Sequence, residues 1–574
     1  MKQNFNHFIT LTLAIPTGLL IALCFLFTIE HAEAKSKKKQ SRTQTVEAHR
    51  TIIKADGPSL DLAFNGKKSP NNWEIDATIN PDELTTTAGV VTFMSGIDTL
   101  TVNLDEWTHK DIVVLTAEGD SAHVRINRNA ANPYENPNPK LLQRAPSGLL
   151  SPEQAKFDLD ALIYTISEVH PNIYSVIGQA ELHYAIKHAS SSITDSISVE
   201  GLYKIAAPIV AMIGDGHTNL WYPANDVFKA DTKRLPVWMY AESDRSITID
   251  RSLDSIMPQG TKVLKINGKT ATQILDNFLT YVSGETEHFR LSRLEDLRPY
   301  LHMAMPADVY EIEYLAPGES EVRTATIPAL VPSEYVSRVP AAKVQTAPAE
   351  PYTFSIDAAE KVGIMDFRSF SDHDKMEAFA DSMFTALREQ GIRDLIIDVR
   401  QNGGGESAVG DILLQYFSPK PFIQMEKALI KITPTTRRLM YYGDAKPGLY
   451  YYVTDEEKFN KPLTPEEGFY DGKVWILTSN KTFSSAASFV WAAQVFDAAT
   501  LVGEEAGGMN IAFGDVLGYA LPISGIVCGI SYKRFWQPNA DENDIHGARP
   551  EYRVPHEQAM DKALQLIRES RRSK

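Results

Sequence analysis

Cysteine is almost absent from this chain: 2 in 574 residues, Cys24 and Cys528. Cys24 lies in an apolar N-terminal run and Cys528 stands alone, which excludes a disulfide framework and a cysteine-built metal site. The 14 histidines are scattered without zinc-type spacing, so no metal is expected. Positive charge is also short. Lys and Arg number 57 against 73 Asp and Glu, for a net charge of −16, and no basic stripe offsets it. Non-specific nucleic-acid binding is thereby excluded and adhesion to anionic membrane surfaces disfavoured. The glycine-rich run at 403–405 lacks the lysine of a phosphate-binding loop, and no acyl-carrier or cofactor motif occurs. No cofactor is expected.

What remains is an ordinary globular composition, 43% hydrophobic and 23% charged, in a chain long enough for several domains. Residues 1–34 read as a signal peptide: Lys2, an apolar stretch at 8–29, then Ala32-Glu-Ala34 as a small-x-small cleavage site. The same stretch is nearly long enough to span a bilayer, so an uncleaved anchor is the alternative, and the body lies outside the cytoplasm in either case. Residues 35–43 form a polar linker. Residues 44–130 alternate polar and apolar positions between Gly, Asn and Asp, the pattern of a small β-sandwich accessory domain. Residues 148–222 read as helical. Ser151-Pro152 is an N-cap followed by proline, and Phe157, Leu159, Leu162, Ile163 and Ile166 recur at helical spacing. His170, His183 and His188 in this domain read as surface or packing histidines. Residues 223–335 form a β-rich region in which 260–275 is a strand, an Asn-Gly turn and a helix. In residues 350–574 strands alternate with helices, the mark of an α/β core, with a Tyr- and Lys-rich insertion at 422–467 that lines a cleft or covers the core.

Three segments carry chemistry. Residues 478–489 (TSNKTFSSAASF) follow a β-rich run and precede an apolar helical pattern. A hydroxyl at such a strand-to-helix turn is exposed, and the free N–H groups of the new helix face a developing oxyanion. The bland reading is a helix cap. Residues 402–405, Asn-Gly-Gly-Gly, form a turn after a buried strand where backbone approaches closely because no Cβ intervenes. In residues 212–220 an Asp-Gly turn presents His217, the residue type best suited to act as general base at neutral pH.

In this order the boxes at 214–218 (GDGHT), 397–405 (IDVRQNGGG), 482–487 (TFSSAA), 501–504 (LVGE) and 545–551 (IHGARPE) resemble the tail-specific (C-terminal-processing) serine peptidase family, in its tricorn-like branch. The resemblance implies an α/β fold with a crotonase/ClpP-like core of ββα units, joined by the N-terminal β-sandwich, the helical domain and a PDZ-like insert. It implies a serine peptidase acting on proteins or peptides. It places the nucleophile at Ser484, with Ser485 as competitor, and the general base at His217. The orienting acid falls at Asp544, with Glu542 second, and the oxyanion hole at the N–H groups of Gly404 and Ser485. Met509 stands where classical members carry a dyad lysine, and a thioether accepts no proton, so a Ser–His–acid triad is expected. The alternative function is a catalytically lapsed homologue that binds peptides or other ligands.

Overall fold

The computed structural model describes residues 137–572 apart from short gaps at 254–255, 335–349, 443–444 and 446–447, together with residues 132 and 134 and, as backbone, the strands between 49 and 127. The leader and linker expected at 1–43 lie outside the described residues. Among the described residues the architecture is mixed α/β in four sheets.

The C-terminal region is built on a six-stranded sheet with the order Tyr352–Asp357, Val362–Phe367, Asp394–Asp398, Lys473–Thr478, Thr500–Gly503, Tyr552–Arg553. Its first pair is antiparallel and the rest are parallel. Side-chain period two explains the layers. Leu395, Ile397, Val474 and Ile476 pack with the helices His373–Glu389, Ser407–Phe417 and Ser485–Val495. The intervening Ile396, Trp475 and Leu477 pack with the C-terminal helix Ala559–Arg572. Both faces are covered, which is why these strands read as continuous apolar runs.

A second, nine-stranded sheet holds the long hairpin Ile511–Ala520 and Val527–Trp536. The 422–467 insertion contributes Lys427–Ile432 and Gly448–Val453 to it. The sheet continues through Gly448–Val453 into Ser121–Asn127, so the N-terminal strands are an extension of the C-terminal region's own sheet. Residues 49–127 form four strands of this sheet and a separate four-stranded one.

Three helices, Pro152–Val169, Gln179–Ser192 and Val199–Met212, make the helical region. Ser151 caps the first through a reciprocal bond with Gln154. The third helix delivers the His217 loop, and Asn219–Leu220 then pairs with Gly529 and Cys528 of the long hairpin. That short pairing fixes the loop against the C-terminal region.

The insert is an antiparallel sheet of Val237–Ala241, Ile247–Ser252, Lys262–Ile266, Val309–Leu315 and Arg323–Pro328. The expected strand, turn and helix at 260–275 are present. Asn267 and Gly268 both take positive φ, as a two-residue hairpin turn requires, and Thr270 caps Ala271–Phe278.

Candidate active site

The strand Lys473–Thr478 ends in a tight loop that runs into the helix Ser485–Val495. Ser484 sits at the junction with φ 55° and ψ −127°, a conformation a non-glycine residue adopts only under constraint. The loop is pinned by Thr482 Oγ1, which donates to Val399 O at 2.9 Å, and by the Phe483 N–H, which donates to Asn402 O at 3.1 Å.

Ser484 Oγ lies 3.0 Å from His217 Nε2 across 267 residues of sequence. The imidazole packs on Phe483 at a 31° tilt with ring centroids 4.4 Å apart, and Phe483 stacks in turn on Phe289 of the insert at 4.2 Å. Its side chain is 13% exposed. Burial pushes the imidazole below its ordinary value, against the opposing pull of Asp215. His217 is therefore neutral at neutral pH and able to accept a proton.

The two serines part company here. Ser485 is buried, its hydroxyl donates to Gly405 O at 2.6 Å, and Ser407 Oγ is 3.2 Å away. That hydroxyl faces the glycine turn; the Ser484 hydroxyl faces the imidazole. The Ser485 N–H opens the helix and has no acceptor among the described residues, as the first turn of a helix leaves it.

Gly404 lies beside Ser484, but its N–H is not free as expected. Its N–H is committed to Asn402 Oδ1 at 2.9 Å, in a side-chain-closed turn. What matters is its missing side chain. A Cβ at Gly404, whose φ is 98°, would stand 2.7 Å from Ser484 Cβ and 2.8 Å from Ser485 N. The glycine keeps open the space in front of the Ser485 N–H.

The expected orienting acids are not brought to the imidazole. Asp544 pairs with Arg549 at 3.0 Å and accepts from the His546 N–H at 3.0 Å. Glu542 pairs with Arg534 at 2.7 Å and accepts from Trp536 Nε1 at 2.6 Å. Both serve the closing segment. The carboxylate beside the ring is Asp215, with Oδ1 3.9 Å from His217 Nδ1 and 2.9 Å from the His217 N–H. The sequence reading had this residue only as half of an Asp-Gly turn. Its place two residues before His217 was the signal available. Burial opposes its ionisation, but hydrogen bonds from His170 and Ser531 hold the carboxyl well below the usual range. His170, read as a surface or packing histidine, is fully buried and bonded to Asp215 at 3.1 Å.

The imidazole, serine and glycine turn open onto a cleft of about 410 Å³, also lined by Met440, Tyr442, Met509 and Phe535. The Tyr-rich insertion thus contributes to the cleft as well as to the second sheet. Residues 361–554 match the model of peptidase family S41. These residues are an S41 peptidase domain, and the chain is a serine peptidase. The fold of this chain is similar to the crystal structure of mature CPAF, at 15% identity and a TM-score of 0.51, over 73% of this chain and 96% of that one. It is similar also to mature CPAF complexed with lactacystin, at 15% identity and a TM-score of 0.52, over 73% and 97% of the two chains. At that identity the likeness is one of fold. Proteins or peptides are the substrates that the family implies.

Proposed function

We propose that this S41 peptidase is exported and cleaves peptide bonds through an acyl-enzyme on Ser484, with His217 as general base. The supporting observation is the 3.0 Å contact between Ser484 Oγ and His217 Nε2. A serine hydroxyl attacks a carbonyl carbon only as a base takes its proton, and Nε2 stands within hydrogen-bond reach. The tetrahedral oxyanion then meets the Ser485 N–H at the helix N-terminus, where the helix dipole favours negative charge. Collapse expels the amine, which takes the proton back from His217. Water, deprotonated by the same imidazole, hydrolyses the ester and restores the serine. Export rests on the apolar run at 8–29 and the Ala32-Glu-Ala34 site.

A fluorophosphonate probe on the intact protein tests the mechanism. Label is expected on Ser484, and none on Ser484→Ala. His217→Ala should lose labelling as well. Label confined to Ser485, or full labelling of His217→Ala, would overturn the reading. Edman sequencing of protein secreted by a host cell tests export: a mature N-terminus at Lys35 is expected.

A further inference from the structure

We infer that Asp215, from within the histidine's own loop, is the positioning carboxylate for His217, in place of any acid from the closing segment. The inference rests on the Ser484–His217 reading above. While the imidazole accepts from Ser484 at Nε2, its one hydrogen must sit on Nδ1. That Nδ1 is buried and makes no hydrogen bond among the described residues. An orphaned buried donor is unusual and asks what it faces. It faces Asp215 Oδ1 at 3.9 Å, close enough for strong attraction to a developing imidazolium and too far for a ground-state bond.

The surroundings of Asp215 are built to keep it ionised and aimed. The carboxylate is wholly buried. The Asn172 N–H donates to His170 Nδ1 at 3.1 Å, so the hydrogen of neutral His170 lies on Nε2, which donates to Asp215 Oδ2 at 3.1 Å. Ser531 Oγ donates to the same oxygen at 2.6 Å. Two donors on Oδ2 leave Oδ1 with the His217 N–H and the direction of Nδ1. No lysine or arginine bonds directly to this carboxylate among the described residues, so its charge is free to act on the imidazole. The other charged groups near His217 are committed elsewhere. Arg293 lies over the Phe289 and Phe483 rings and points to Gly216 O at 3.4 Å. Glu285 accepts from the Gly216 N–H at 3.1 Å, and burial pushes its carboxyl up to about 8, leaving it mostly neutral. Asp515 is paired with Lys533.

The test compares pH–rate profiles of wild type, Asp215→Asn and Ser484→Ala on an unstructured peptide, with Tm as the fold control. For Asp215→Asn, kcat falls on the order of a hundredfold, less than the loss seen when a directly bonded triad acid is removed. Its acid limb moves to lower pH, because removing an anion lowers the pKa of the neighbouring imidazole. An Asp215→Asn enzyme of wild-type Tm, with kcat within threefold of wild type and an unmoved limb, overturns the inference. Ser484→Ala with retained activity overturns instead the mechanism on which it rests. Should Asp215→Asn fail to fold, the ¹⁵N shifts of His217 in the wild-type protein decide. The Nδ1–H tautomer at neutral pH is expected, and the Nε2–H tautomer overturns the assignment.

Discussion

Two segments carry the acids expected or found to serve the imidazole, and they differ in what surrounds them. The loop at 213–218 closes over Asp215, a carboxylate with no exposed surface whose oxygens are met by His170, Ser531 and the His217 N–H. The closing segment at 541–551 carries more carboxylates, yet Asp544 is 29% exposed and bonded to Arg549, and Glu542 is 56% exposed and bonded to Arg534. In the first, low dielectric makes one charge strong and directional. In the second, water and paired arginines dissipate it. Position in the order of the family boxes told less about where an acid points than did the medium around it.

The largest effect is expected at the glycine that lies against both serines. Gly404→Ala places a Cβ 2.7 Å from Ser484 Cβ and 2.8 Å from Ser485 N, at a φ that a side chain resists. Displacing the Ser485 donor should lower kcat by ~10²–10³, with a loss of about 1–3 kcal/mol in stability. Steady-state kinetics with a denaturant titration separates the two. A Gly404→Ala enzyme of wild-type kcat would show that the space beside Ser484 is not used.

The buried side of the comparison is sharpened by Glu285. Burial and nearby Asp215 raise its folded value to about 8, against about 4.5 for an ordinary glutamate. The unfolded chain releases that proton first. The stability from the neutral carboxyl is therefore complete below pH 4.5 and lost as pH rises through 8. Glu285→Gln has no proton to release, so its Tm should fall less than that of wild type between those pH values. The difference would be a few kcal/mol at most, with an upper slope of about 1.4 kcal/mol per pH unit. Parallel Tm profiles of the two proteins would place Glu285 in a wetter setting.

The exposed side predicts the smallest effects. Asp544→Ala and Glu542→Ala should change kcat/KM less than about threefold and stability by about 1 kcal/mol or less. Ser485→Ala keeps its N–H, loses the hydrogen bonds to Gly405 O and Ser407 Oγ, each worth about 1 kcal/mol, and should still label at Ser484. A thousandfold loss of rate on Asp544→Ala, at unchanged Tm, would reverse the assignment of the two acidic segments.

Much of the architecture was open to sequence reasoning because it is local. The cap at Ser151, the Asn267-Gly268 turn, the buried run at 394–398 and the strand-to-helix turn before Ser485 each follow from residue types within a few positions. The family boxes likewise pointed to Ser484 and His217. Less legible was the insertion at 422–467, whose strands need the distant hairpin Val527–Trp536 as a partner. The continuity of that sheet with the N-terminal strands was equally hidden, since edge pairing between Gly448–Val453 and Ser121–Asn127 joins segments more than three hundred residues apart.

By itself the sequence determined which groups exist and their local posture: a serine at a forced turn, a glycine without a side chain beside it, a histidine following an Asp-Gly pair. Residue type and backbone preference suffice for that. Tertiary structure decided which hydroxyl meets the imidazole, that the Gly404 N–H is already spent on Asn402, and that Asp215 rather than Asp544 stands behind the ring. Those choices depend on burial and on contacts across 267 residues, and both come into being only when the sheets close.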